Sequence, residues 1–151
     1  MSHRGSRIHT LAVIGLGLIG GSLAKAAKQT GFAAHTIGYS LNLSEVRLGV
    51  ELGVVDFAAS SVEEAVKNAD IVVVAVPVKA FEVSLAEIKP HLKTGAILTD
   101  VGSVKGCFLS AVEKIFGSVP EFVVPGHPIA GSERSGVLAA DANLYRHHKV
   151  I

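Results

Sequence analysis

Leu11-Ala12-Val13-Ile14-Gly15-Leu16-Gly17-Leu18-Ile19-Gly20-Gly21 is the stretch that decides how this chain folds. Its first four residues are apolar throughout, as expected of a strand covered on both faces of a parallel sheet. Glycines then follow at the spacing G-x-G-x-x-G, directly before a segment with helical spacing. Each glycine meets a different need. Gly15 permits a tight turn, Gly17 lets the backbone approach a pyrophosphate, and Gly20 allows a helix to pack closely on the strand. Leu18 and Ile19 complete the loop, whose helix N-terminus faces an anion with unpaired N–H groups. A glycine-rich turn with no ligand is the competing reading. The strand-turn-helix setting favours a bound dinucleotide.

Outward from this stretch, apolar runs of strand length alternate with longer segments of helical spacing. The pattern predicts a helix over 21–29 with Gly31 behind it, a strand over 36–39, and a helix from Ser44 towards Gly53. Ser61 followed by Glu64 makes a capping box for a helix reaching about residue 69. Residues 70–76 read as a buried central strand stopped by Pro77. A helix over 80–89, a strand over 96–99, a helix from Ser103-Val104 to near Gly117 and a strand over 122–124 stopped by Pro125 complete the series. Lys149-Val150-Ile151 looks like the start of one more strand, so the sequence is expected to be a piece of a longer protein. The fold class is therefore α/β: a Rossmann-type, doubly wound, mainly parallel sheet with helices on both faces, forming one dinucleotide-binding domain over 1–151.

Composition excludes several function classes. With 14 basic and 13 acidic residues and no basic run, the chain lacks the electrostatic footprint of a nucleic-acid or anionic-membrane binder. The apolar stretch near the N-terminus is broken at once by glycines, which argues against a signal peptide or membrane span. One cysteine, Cys107, cannot make a disulfide framework, which fits a cytoplasmic protein. Cys107 is read as a small apolar residue within a helix. No Cys and His set has zinc spacing, so no metal is expected, and no G-x-S-x-G elbow occurs.

Open parallel sheets bind ligands beyond the carboxyl ends of their strands. At those ends stand Ser40, Val76-Pro77, Gly102-Ser103 and Gly126-His127-Pro128. Ser40 takes the place where an acidic residue normally holds the ribose hydroxyls of NAD. A carboxylate there would repel the extra phosphate of NADP by about 4 kcal/mol, and serine removes that barrier. No arginine adjoins Ser40, and Arg47 lies a helix turn further on, so the sequence leaves NAD or NADP open. Ser40 reads equally well as a solvated loop serine. Ser103 is both the N-cap of the following helix and a candidate ligand contact. His127 is the histidine at a strand end facing the expected crevice, whereas His147 and His148 sit in a polar stretch.

The segments Ile14 to Leu23, Thr99-Asp100-Val101-Gly102-Ser103-Val104-Lys105-Gly106 and Pro125-Gly126-His127-Pro128-Ile129-Ala130-Gly131-Ser132-Glu133 together resemble the prephenate/arogenate dehydrogenase family. The second and third motifs are far more specific than the glycine fingerprint, which many dehydrogenases share. The resemblance covers essentially the whole chain. It implies NAD(P)-dependent oxidative decarboxylation of prephenate to 4-hydroxyphenylpyruvate, or of arogenate to tyrosine, in tyrosine biosynthesis. It also implies that His127 takes the proton of the substrate hydroxyl as hydride leaves, and that Ser103 orients that histidine, the hydroxyl and the nicotinamide. A neutral imidazole with an ordinary pKa near about 6.5 suits such a base. Glu133 matches a motif position associated with substrate access; a solvated loop glutamate is the competing reading. The family's substrate carboxylates are held by a second, mostly helical domain that also makes the homodimer, and nothing in this sequence supplies it. The competing functions are another β-hydroxyacid-type dehydrogenase and a non-catalytic nicotinamide-binding sensor module.

Overall fold

The computed structural model describes residues 8–101 and 105–124. Its elements follow in the order β1 (Ile8–Ile14), α1 (Leu18–Thr30), β2 (Ala33–Tyr39), α2 (Leu43–Glu51), β3 (Phe57–Ala58), α3 (Val62–Val66), β4 (Ile71–Val74), α4 (Phe81–Ile88), β5 (Ile97–Asp100), α5 (Lys105–Phe116) and β6 (Val123–Val124). The six strands form one sheet in the order β3-β2-β1-β4-β5-β6, and every pair is parallel. The order reverses between β1 and β4, which opens a crevice at their carboxyl ends.

The strand sequences explain the layers. In β1, Ala12 and Ile14 point to one face while Leu11 and Val13 point to the other, and all four are buried. The first pair joins the core under α3, α4 and α5, where Phe81 and Phe108 meet edge to face with centroids 5.5 Å apart. The second pair joins the core under α1 and α2, with Leu16, Ala24, Ala27 and Val46. Each fully buried Leu, Ile, Val or Phe side chain contributes about 1.5–3 kcal/mol relative to exposure.

Two aspartates tie the strand entries together. Asp70 Oδ2 accepts from the backbone N–H groups of His9 (3.0 Å) and Thr10 (2.9 Å), and Lys93 Nζ lies 2.6 Å from Asp70 Oδ1. The lysine and the backbone donors hold the Asp70 carboxyl below its ordinary value. Asp56 accepts from Thr36 N–H and pairs with Lys28 at 3.2 Å. Burial opposes its ionisation, but these donors outweigh burial and lower its pKa.

Several boundaries differ from the sequence reading. α1 begins at Leu18 instead of residue 21, so Gly20 and Gly21 lie inside its first turns. α2 is capped by Asn42, whose Oδ1 accepts from the N–H groups of Ser44 and Glu45. The capping box is displaced by one residue: Ser61 Oγ accepts from Glu64 N–H, but the Glu64 carboxylate accepts from Ser60 N–H at 2.6 Å. β4 stops at Val74, two residues short of Val76, because Pro77 has no N–H and the chain turns into a 3-10 segment over Val78–Ala80. β3 has two residues, both exposed, too short for a hydrophobic pattern to register. Cys107 does lie on a helix, but on its exposed side. The strand start expected at Lys149-Val150-Ile151 lies outside the described residues. Among the described residues no helix is long and apolar enough to cross a membrane, and no cluster of side chains could hold a metal ion.

Candidate dinucleotide site

Four adjacent strands end level with one another. Ile14 is in register with Tyr39 on one side and Val74 on the other, and Val74 with Asp100. Gly15, Ser40, Ala75 and Val101 therefore stand one step past the same sheet edge. Short backbone hydrogen bonds hold this edge: Gly15 N–H to Tyr39 O at 2.7 Å, Ala75 N–H to Ile14 O at 2.7 Å and Val101 N–H to Val74 O at 3.2 Å.

The three fingerprint glycines occupy distinct environments. Gly15 has φ +100°, and a Cβ there would lie 2.8 Å from the Ala75 carbonyl and 3.0 Å from Val76 Cγ1. Gly20 faces the Gly15 carbonyl, and a Cβ there would lie 2.9 Å from both Ala75 Cβ and Val13 Cγ1. Both positions are closed by protein atoms. A Cβ on Gly17 would meet nothing within 4 Å, so this glycine faces open space at the mouth of the crevice.

Gly17 is also the N-cap of α1. It brings no side-chain cap, and the first turn holds no acidic residue. A helix of 13 residues thus presents the positive end of its dipole, uncapped by side chains, beside an open glycine. Leu18 opens the helix and Ile19 follows it, so their backbone belongs to this turn. These features fit the pyrophosphate of a dinucleotide: close backbone approach, aligned amides and no competing carboxylate. When bound, such a cofactor would be held by the turn from Gly15 to Gly20.

The other sequence candidates divide into two groups. Ser40 directly follows Tyr39, and its Oγ accepts from Asn42 N–H at 3.3 Å, which shapes the turn into α2. Val76 packs over Gly15, and Pro77 leads into the 3-10 turn on the exposed side of the same crevice. Both strand-end segments are thereby brought to the glycine turn. Ser103, His127 and Glu133 lie outside the described residues. The strands that lead to them are in place: Asp100 ends β5 three residues before Ser103, and Val124 ends β6 three residues before His127. His9 and His35 contact each other at a ring separation of 4.9 Å, but they sit on the entering parts of β1 and β2, away from the crevice.

Asp100 was not singled out by the sequence reading. It is a buried carboxylate, 1% exposed, at the crevice end of β5. The signal was an acidic residue closing the apolar run Ile97-Leu98, where a buried strand has no ordinary use for charge.

Residues 23–151 match the model of the prephenate dehydrogenase nucleotide-binding domain. The chain belongs to this family. The glycine turn precedes the matched span, so the turn and the match are independent observations. The chain is 35% identical over 147 residues to the cyclohexadienyl dehydrogenase of Zymomonas mobilis, covering 93% of this chain and 47% of that protein. It is 37% identical over 137 residues to the prephenate dehydrogenase of Bacillus subtilis, covering 90% of this chain and 37% of that protein. The crystal structure of prephenate dehydrogenase from A. aeolicus in complex with hydroxyphenyl propionate and NAD+ superposes with a TM-score of 0.84 at 34% identity, covering 95% of this chain and 49% of that one. The chain thus spans half or less of the length of these relatives.

Proposed function

We propose that this chain is the cofactor half of a dehydrogenase that oxidises and decarboxylates prephenate to 4-hydroxyphenylpyruvate, or arogenate to tyrosine. The observation that carries the reading is the open, uncapped turn at Gly17 at the switch point of the sheet, in a chain of this family. Bound NAD or NADP would supply the hydride acceptor. Ser40 in place of a carboxylate admits both.

The chain's own residues divide the remaining work. Gly15 to Gly20 bind the pyrophosphate, and Val76 and Pro77 form the wall opposite the turn. His127 accepts the proton of the ring carbinol, a transfer of the kind worth about 10²–10⁴-fold in rate. Ser103 orients the imidazole and the substrate hydroxyl. The bond from the ring to the departing carboxylate breaks, its electrons complete the aromatic ring, and carbon dioxide leaves. Substrate carboxylates are held by a second, helical domain that also forms a homodimer. The 151-residue chain alone accordingly binds dinucleotide and turns over little substrate, since orientation contributes several kcal/mol to such reactions.

The test is formation of reduced nicotinamide by the full-length protein with prephenate and, separately, with arogenate, before and after His127→Asn. Turnover should fall by about 10²–10⁴-fold while the dinucleotide Kd stays unchanged. No turnover with either substrate, despite dinucleotide binding, would replace the enzyme by a nicotinamide-binding module.

A further inference from the structure

Among the described residues, Asp100 is the one charged side chain that the fold buries. It ends β5 at 1% exposure, two residues after Leu98 and in register with Val74. Alternation along the strand puts its carboxyl on the face of Leu98 and Val74, the face covered by α3, α4 and α5. Ile14, Val74 and Leu98, which share that layer, are buried and apolar and offer no donor. An ionised carboxylate enters such a layer only where hydrogen-bond donors meet it.

The order of the elements says where those donors come from. α5 begins at Lys105, five residues after Asp100, and returns over the same face, with Phe108 buried against Phe81. Its first turn therefore stands over the crevice end of β5. The start of a helix carries N–H groups without a partner inside the helix, together with the positive end of the dipole. The first turn of α5 holds no acidic residue of its own. A carboxylate fixed on the strand below is the complementary group. Ser103 lies between the two anchors in sequence, three residues after Asp100 and two before Lys105.

We propose that Asp100 is a positioning residue: its carboxylate ties the end of β5 to the start of α5 and thereby sets where the Ser103 hydroxyl stands relative to His127 and the substrate. The inference rests on the dehydrogenase reading above and adds to it the group that holds Ser103. Asp100 touches no reacting atom. Its effect on the reaction passes through Ser103.

The experiment is steady-state kinetics of the full-length protein, native and with Asp100→Ala, Asp100→Asn, Ser103→Ala and each Asp100 substitution combined with Ser103→Ala. Asp100→Ala should lower kcat by about 10²-fold, the effect of a small misplacement in an oriented site, and leave the dinucleotide Kd within about twofold. Asp100→Asn keeps the shape and one acceptor oxygen and should lose about tenfold, since the charge-assisted bonds are lost. With Ser103 already replaced, either substitution should lower kcat by less than about twofold, because residues acting through one another are not additive. A purely structural role would lower kcat by the same factor in both backgrounds. If Asp100→Ala does not fold, the Asp100→Asn pair completes the same cycle. Equal losses in both backgrounds, an unchanged kcat in the Asp100 variants, or a native kcat in Ser103→Ala would overturn the inference and leave the dehydrogenase reading standing. If the native protein turns over neither prephenate nor arogenate, that reading falls, and this inference with it.

Discussion

Helices α1 and α2 start at the same edge of the sheet, yet their first turns are opposites. α2 is closed by its own sequence: the Asn42 side chain accepts from two first-turn amides, and Glu45 adds a negative charge beside them. α1 is left open: glycine stands at the N-cap, and no carboxylate lies in the first turn. A cap contributes about 1 kcal/mol, so α1 forgoes stability that α2 collects. The difference teaches where a ligand belongs. A terminus that no side chain caps, beside an open glycine, leaves room for an anion from outside, whereas the Asn42 side chain already occupies the start of α2.

This contrast can be tested within α1 itself, because its turn contains both closed and open glycines. The largest effect belongs to Gly20. Its Cβ would press on the Gly15 carbonyl, Ala75 and Val13, none of which is the far end of a flexible side chain. Gly20→Ala should lower stability by about 2–3 kcal/mol in urea unfolding, the cost of forcing atoms into a packed interior. An unchanged midpoint would show that the helix and strand can separate freely. Gly17→Ala comes next, and its effect should fall on the ligand instead of the fold. With nothing within 4 Å of the new methyl, the unfolding midpoint should stay put. Dinucleotide affinity should drop about tenfold as the methyl stands where the pyrophosphate approaches. If Gly17→Ala instead destabilised the protein and spared affinity, the open and closed roles would have to be exchanged.

The smallest effect lies at the opposite edge of the sheet, where no ligand is expected. Asp70→Ala removes the acceptor of the His9 and Thr10 amides and should cost about 1 kcal/mol, with dinucleotide affinity unaltered. The pH dependence follows from its lowered pKa. Its folded value lies below the ordinary 3.8, so its contribution is complete above that pH and is lost as the pH falls through the folded value. Native and Asp70→Ala proteins should therefore converge in stability under acid and diverge towards neutrality. Lys93 is 39% exposed, so salt should trim the difference.

The sequence was most legible where one residue type has one physical meaning. The run Leu11 to Ile14, apolar throughout and leading into the glycine turn, reads as a doubly covered strand, and positive φ values at Gly31, Gly53 and Gly117 sit where helix ends were expected. It was least legible where neighbours compete for one role. Ser60 and Ser61 are both able to answer Glu64, and spacing alone cannot say that the carboxylate turns to Ser60. Asn42 and Ser44 are both good caps, and the turn shaped by Ser40 selected Asn42.

What the sequence by itself determined is the glycine turn and the succession of strands and helices other than β3, because these rest on periodicity or on spacing along the chain; the family resemblance rests on the residues of three motifs. Only the tertiary structure decided that Gly15 and Gly20 are filled by Ala75, Val13 and Val76 while Gly17 is empty, and that Arg47 of α2 and Ser60 beyond β3 line one hollow. Ala75 and Val76 are far from the glycine turn in sequence, as Ser60 is from Arg47. Their juxtaposition arises from the parallel crossovers that bring the ends of β1, β2, β3 and β4 to one edge, and no local pattern encodes the resulting contacts.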